Sequence, residues 1–178
     1  MKRSIQRLIV GFACVLALWP RPAAAQTVPP ELGQGWAPEF ALTARQLVQL
    51  AEAIPAERFG WRPGPGVRSI GEVYMHLATG NFYLLEQAGV KPADPVKLPT
   101  ETSVTAKADV IQWLKRSLDA VRNGYEGADR QKKVRFFGKD TTSELVFLRI
   151  LLHNNEHMGQ SIAYARMNGV VPPWSKAP

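Results

Sequence analysis

Four stretches of the chain place apolar residues at helical spacing, and Pro- and Gly-rich segments separate them. The first begins at Trp36, carries Phe40, Leu47, Leu50 and Ile54 on one face, and stops at Pro55. Ala56 to Arg68 reads as a loop, with Trp61 placed over an end of the fold. Ser69-Ile70-Gly71-Glu72 is a capping-box pattern that opens a second helix, running to about Ala88, and Gly89 suits the position after its end. Lys91 to Thr102 is a connector stiffened by Pro92, Pro95 and Pro99. A third helix is expected from about Val104 to Asn123, buried along Val110, Ile111, Leu114, Leu118 and Val121, with Ser103 as its cap and Gly124 as its stop.

Between Asp129 and Asp140 the run Lys132-Lys133-Val134-Arg135-Phe136-Phe137-Gly138-Lys139 reads as a solvated loop, with Phe136 or Phe137 turned into the core. Thr141-Thr142-Ser143-Glu144 repeats the capping-box pattern and opens the last and longest helix, to about Asn168-Gly169. No internal repeat and no strand system stands out. The simplest architecture is all-α, a four-helix bundle.

The N-terminus has a different pattern. Lys2, Arg3 and Arg7 precede the unbroken apolar run Leu8 to Trp19, and Ala23-Ala24-Ala25 then offers small residues for cleavage before Gln26. Such a run is too short to cross about 30 Å of hydrocarbon as a helix, so residues 1–25 are expected to be a cleaved signal peptide. The expected division is then a leader over 26–36, one bundle domain over 37–173 and a tail over 174–178. The location implied is periplasmic or secreted, with no membrane attachment after cleavage.

Cleavage also changes the charge. Of 22 basic residues four lie in the signal, which leaves 18 against 15 acidic ones, a net of +3 instead of +7. That balance gives no reason to expect nucleic acid as a partner. Cys14 is the single cysteine and lies in the signal, so any metal site in the mature chain must use His, Asp or Glu.

His153 and His157 stand four residues apart in the last helix, which puts both imidazoles on one face about a turn apart. His153-Asn154-Asn155-Glu156-His157 also fits the pattern of the inverted zinc proteases. That reading fails, because no Asp or Glu follows Glu156 to complete such a site. A third protein ligand has to come from upstream, and His76 is the only other histidine. His76 lies on or near the buried stripe of the second helix, with Glu72, Gly80 and Tyr83 within about 40° of it. Two readings stay open for it: a core histidine bonded to Glu72, or a metal ligand. Three neutral imidazoles accept a divalent Zn, Ni or Fe ion and leave coordination positions open. By helical phase, Glu72, Tyr83, Gln160 and Tyr164 are the candidate pocket groups around such a centre. Binding by free imidazoles would weaken below about pH 6.5.

The run His153 to Gln160, followed by Tyr164-Ala-Arg166-Met-Asn168-Gly169 and Pro172-Pro173, resembles the C-terminal signature of the DinB/YfiT-like proteins. Trp61 to His76 resembles the loop and second helix of the same family. The resemblance implies a four-helix bundle holding a divalent metal on His76, His153 and His157, often as a homodimer. Characterised members include thiol-dependent transferases and isomerases. Those use cytoplasmic thiols, so an exported chain fits better as a metal-dependent hydrolase of an unknown small-molecule substrate. A non-catalytic metal- or ligand-binding bundle is the alternative, with a metal-dependent transferase or isomerase behind it.

Overall fold

The computed structural model describes residues 28–91 and 97–175; the expected signal peptide lies outside them. Four helices make up the frame: α1 (Trp36–Ala53), α2 (Ile70–Gln87), α3 (Lys107–Gly127) and α4 (Ser143–Met167). The main packings are α2 on α3 and α4, and α1 on α3 and α4. Going round the bundle the order is therefore α1, α3, α2, α4, and consecutive helices α1 and α2 occupy opposite corners. Leu47, Leu50, Ile54, Tyr74, Leu77, Leu114, Leu118, Phe147 and Ile150 fill the centre, each 2% exposed or less. Burying each such side chain is worth about 1.5–3 kcal/mol, which is what holds four individually marginal helices together.

The helix starts show which local signals acted. At α2 the capping box forms as read: Ser69 Oγ accepts from the Glu72 amide at 3.3 Å, and Glu72 Oε2 from the Ser69 amide at 2.8 Å. The preceding loop assists, because the Phe59 carbonyl accepts from the Gly71 amide and the Trp61 carbonyl from the Ile70 amide. Trp61 itself packs edge-on against Tyr164 of α4, ring centroids 5.4 Å apart.

The second capping box does not form. α4 starts at Ser143, so Thr141 lies in a strand, and Thr142 makes no side-chain cap bond. Carbonyls of the preceding segment do the capping instead: Lys132 accepts from the Ser143 amide and Arg130 from the Glu144 amide, both at 2.9 Å.

That segment leads into a feature the all-α expectation lacked. β1 (Lys133–Phe136) and β2 (Lys139–Thr142) form an antiparallel hairpin, with Phe136 opposite Lys139. Its two-residue turn places Phe137 at φ 46° and Gly138 at φ 77°, the left-handed pair that matches strand twist. Val134 and Phe136 pack toward the core, and Phe137 is 73% exposed. Four-residue strands with only two inward positions carry too little alternation to stand out in a sequence.

The third helix starts at Lys107 and continues past its expected stop. Gly124 sits inside it, where a Cβ would lie 2.8 Å from Leu85 Cδ2. That glycine serves the close approach of α2 and α3, so it does not end the helix. No helix among the described residues is long and apolar enough to cross a membrane.

Candidate metal centre

α2 and α4 pack side by side, and the shared seam carries all three histidines. One ring nitrogen from each of His76, His153 and His157 lies within 4.8 Å of the others. His76 Nε2 and His153 Nε2 are 3.2 Å apart. The three rings meet edge to face, with centroids 4.7–5.1 Å apart and interplanar angles of 67–82°. All three are partly buried.

Each ring is held differently. His76 Nδ1 lies 2.6 Å from Glu101 Oε1, in the connector between α2 and α3. Arg68 grips the same carboxylate through Nε at 2.6 Å and Nη2 at 3.3 Å. His157 Nδ1 lies 2.8 Å from Gln160 Oε1, and Gln160 Nε2 donates to the Tyr164 hydroxyl at 3.0 Å. An ionised carboxylate and an amide oxygen only accept, so Nδ1 of His76 and of His157 carries the proton and both Nε2 atoms keep free lone pairs. His153 Nδ1 is buried and has no hydrogen-bond partner among the described residues. Gly80 of α2 makes the space for that ring: a Cβ there would stand 2.8 Å from His153 Cε1.

Burial, and then the neighbouring His157 and His76, push His153 down to about 4. Burial also lowers His157, against the opposing bond to Gln160. Both rings are therefore neutral at pH 7, as metal ligation requires. Ring nitrogens converging on one point repel unless a cation or a proton lies between them. A borderline ion with imidazole preference fits this donor set. Without one, the facing Nε2 atoms pair only if His153 carries its proton on Nε2 and donates to His76, which leaves the buried His153 Nδ1 an unpaired acceptor.

Several expected pocket residues have other tasks. Glu72 does not bond His76; its carboxylate serves the helix cap and Arg62, at 2.8 Å. The Ser69 amide holds that carboxyl below its ordinary range, burial opposes this, and Arg62 adds to the lowering. Tyr83 is 45% exposed, with no hydrogen bond or ring contact to the histidines. Gln160 reaches the centre through His157 instead of facing it directly. Tyr164 is buried behind Gln160 and against Trp61.

The sequence reading missed Arg68, Glu101 and the role of Gly80. A glycine inside a helix on the face of His76 was the one legible signal. Glu101 had none, since residues in a connector carry no helical phase.

A model of the DinB superfamily matches residues 39–163, most of the chain. Solved structures share the fold at low sequence identity. A DinB-like protein from Bacillus cereus ATCC 10987 aligns over 79% of this chain and 95% of its own, with a TM-score of 0.69 and 19% identity. A DinB-like protein of Bacillus subtilis, YjoA, aligns over 80% and 95%, at TM-score 0.61 and 16% identity. YfiT from Bacillus subtilis, described as "a probable metal-dependent hydrolase with an unusual four-helix bundle topology", aligns over 85% and 94%, at TM-score 0.58 and 13% identity. No curated protein matches the chain.

Proposed function

The chain belongs to the DinB superfamily, and from that premise we propose that it is an exported metal-dependent hydrolase acting on a small molecule. The observation that carries the reading is the convergence of one nitrogen each from His76, His153 and His157 within 4.8 Å. A zinc, nickel or iron ion held by these three rings would supply Lewis acidity, able to polarise a carbonyl and acidify water. The description of YfiT supports the same class of reaction. The protein's own residues do the positioning. Glu101 and Gln160 fix the tautomers of His76 and His157, and Gly80 admits the His153 ring. Export rests on the basic, apolar and small-residue order of residues 1–25. Assembly as a homodimer belongs to the same reading.

A second reading, metal binding without turnover, has one observation in its favour. Among the described residues, the carboxylates near the centre are engaged: Glu101 with His76 and Arg68, Glu72 with Arg62, and Glu156 with Arg149. None of these three is free as a general base. The test is metal analysis of untagged protein followed by a hydrolase panel on the metal-loaded form. About one divalent ion per chain with turnover abolished by His153→Ala supports the hydrolase. One ion without turnover supports the binding module, and no stoichiometric metal refutes both. N-terminal sequencing from the native host should begin at Gln26; a start at Met1 refutes export.

A further inference from the structure

We propose that Glu101, held by Arg68, is a positioning residue for the metal centre, so that this residue of the connector between α2 and α3 forms part of the site. The inference rests on the reading of the three histidines as ligands, and it concerns a carboxylate more than twenty residues from any of them in sequence.

The geometry has three parts. First, Glu101 Oε1 lies 2.6 Å from His76 Nδ1, the nitrogen that faces away from the other two rings. A charge-assisted bond at that distance keeps the proton on Nδ1 and aims the bare Nε2 at the point of convergence. A carboxylate placed behind an imidazole in this way also orients the ring as a metal ligand. Second, the carboxylate is not free to turn. Arg68 holds both its oxygens in a two-pronged contact, and Arg68 immediately precedes the Ser69 cap of α2. The line Arg68, Glu101, His76 thus starts and ends on the α2 segment and loops out through the connector. Third, the side chains of His76 and Glu101 are 24% and 30% exposed, so the bond is partly shielded from water.

The three ligands are therefore supported unequally. Behind the ring, His76 has an ionised partner and His157 a neutral amide, while His153 Nδ1 has none among the described residues. Loss of the Glu101 charge should then weaken the ion more than loss of the Gln160 amide.

A structural alternative exists: Glu101 could simply tie the connector to Arg68. The two are separated by pairing Glu101→Gln with Arg68→Met, and measuring zinc affinity by competition with a chelating dye. The proton on His76 Nδ1 is followed by NMR in metal-free protein, and melting temperature reports the fold. The positioning role predicts zinc affinity 10- to 100-fold weaker in Glu101→Gln. Arg68→Met should lose less, and the far-downfield His76 Nδ1 proton of the wild type should move upfield in Glu101→Gln. Equal losses in both variants with an unmoved His76 signal overturn the proposal in favour of the tie. Zinc affinity within twofold of wild type in Glu101→Gln overturns it outright. If the wild type binds neither zinc nor nickel nor iron, the metal reading itself fails, and an unshifted His76 proton then removes the dyad as well.

Discussion

The seam between α2 and α4 carries two polar clusters almost side by side, and they behave in opposite ways. Asn81 and Asn154 are fully buried and close on each other: Asn154 Nδ2 donates to Asn81 Oδ1 at 2.7 Å and to the Ile150 carbonyl at 2.8 Å. Asn81 Nδ2 reaches Ser117 of α3 at 3.2 Å, and Ser117 Oγ donates to Leu114 O at 2.8 Å. Donors meet acceptors throughout, and three helices are tied in one register. The histidine cluster lies one residue away on both helices, next to Asn81 through Gly80 and next to Asn154 through His153. Here two ring nitrogens meet at 3.2 Å and pair only if His153 donates, and the buried His153 Nδ1 has no partner among the described residues. A polar cluster that satisfies itself is scaffold, and one that leaves a buried nitrogen unpaired is addressed to something else.

Substitutions can break this contrast, and the largest effect should fall on the metal. His157→Ala should abolish stoichiometric binding while changing the stability of the metal-free protein little. Metal analysis and denaturant melts on one preparation check both halves. Asn154→Leu should do the reverse. It leaves the Asn81 amide without its main partner and costs about 1–3 kcal/mol of unfolding free energy, yet about one ion per folded chain should remain. Loss of metal in the asparagine variant at full stability would dissolve the distinction.

Gly80→Ala sharpens it further. Alanine is the better helix former by about 0.5–1 kcal/mol, so metal-free stability should hold or rise. The new Cβ displaces the His153 ring, and metal affinity should fall about tenfold or more, measurable by titration calorimetry. Gln160→Leu should keep the fold and weaken the ion by about tenfold, through a freed His157 ring.

The smallest effect is on pH. His153 and His157 have depressed values in the fold, so between about 4 and 6.5 the unfolded chain binds more protons than the native one. Metal-free stability should therefore decline as pH falls from about 6.5 toward about 4. For the same reason, protons should compete with metal at these two rings only at lower pH than at free imidazole. Denaturant melts and zinc titrations from pH 7 to 4.5 check the sign. His153→Ala should flatten the stability slope.

The legible parts of the molecule were those with a repeating signal. Leu47, Leu50, Leu114 and Leu118 recur at helical spacing and lie where that spacing puts them. His153 and His157 share a face for the same reason. The hairpin gave two inward residues per strand at most, and a Phe-Gly turn is a weak sign of left-handed backbone. The Ser69 box and the Thr141 box look alike in sequence. At the first, loop carbonyls add to the side-chain box; at the second, the carbonyls of Arg130 and Lys132 replace it, and that competition is tertiary. Glu101, Asn81 and Ser117 matter through partners on other elements, which no local window contains.

The placement of α1 and α2 at opposite corners, with α3 and the hairpin intervening before α4, has a consequence for the order of assembly. His153 and His157 are presented by a single helix, but His76 joins them across 77 residues of chain. Closing so long a loop is entropically costly, and contacts of that range form late in folding. An ion that needs all three rings can therefore grip only after α2 and α4 have docked. An interaction absent from the transition state slows escape from the native state and leaves the rate of reaching it unchanged. In this topology a metal held by the three histidines would act as a latch closed last, and its contribution would be to the lifetime of the folded chain.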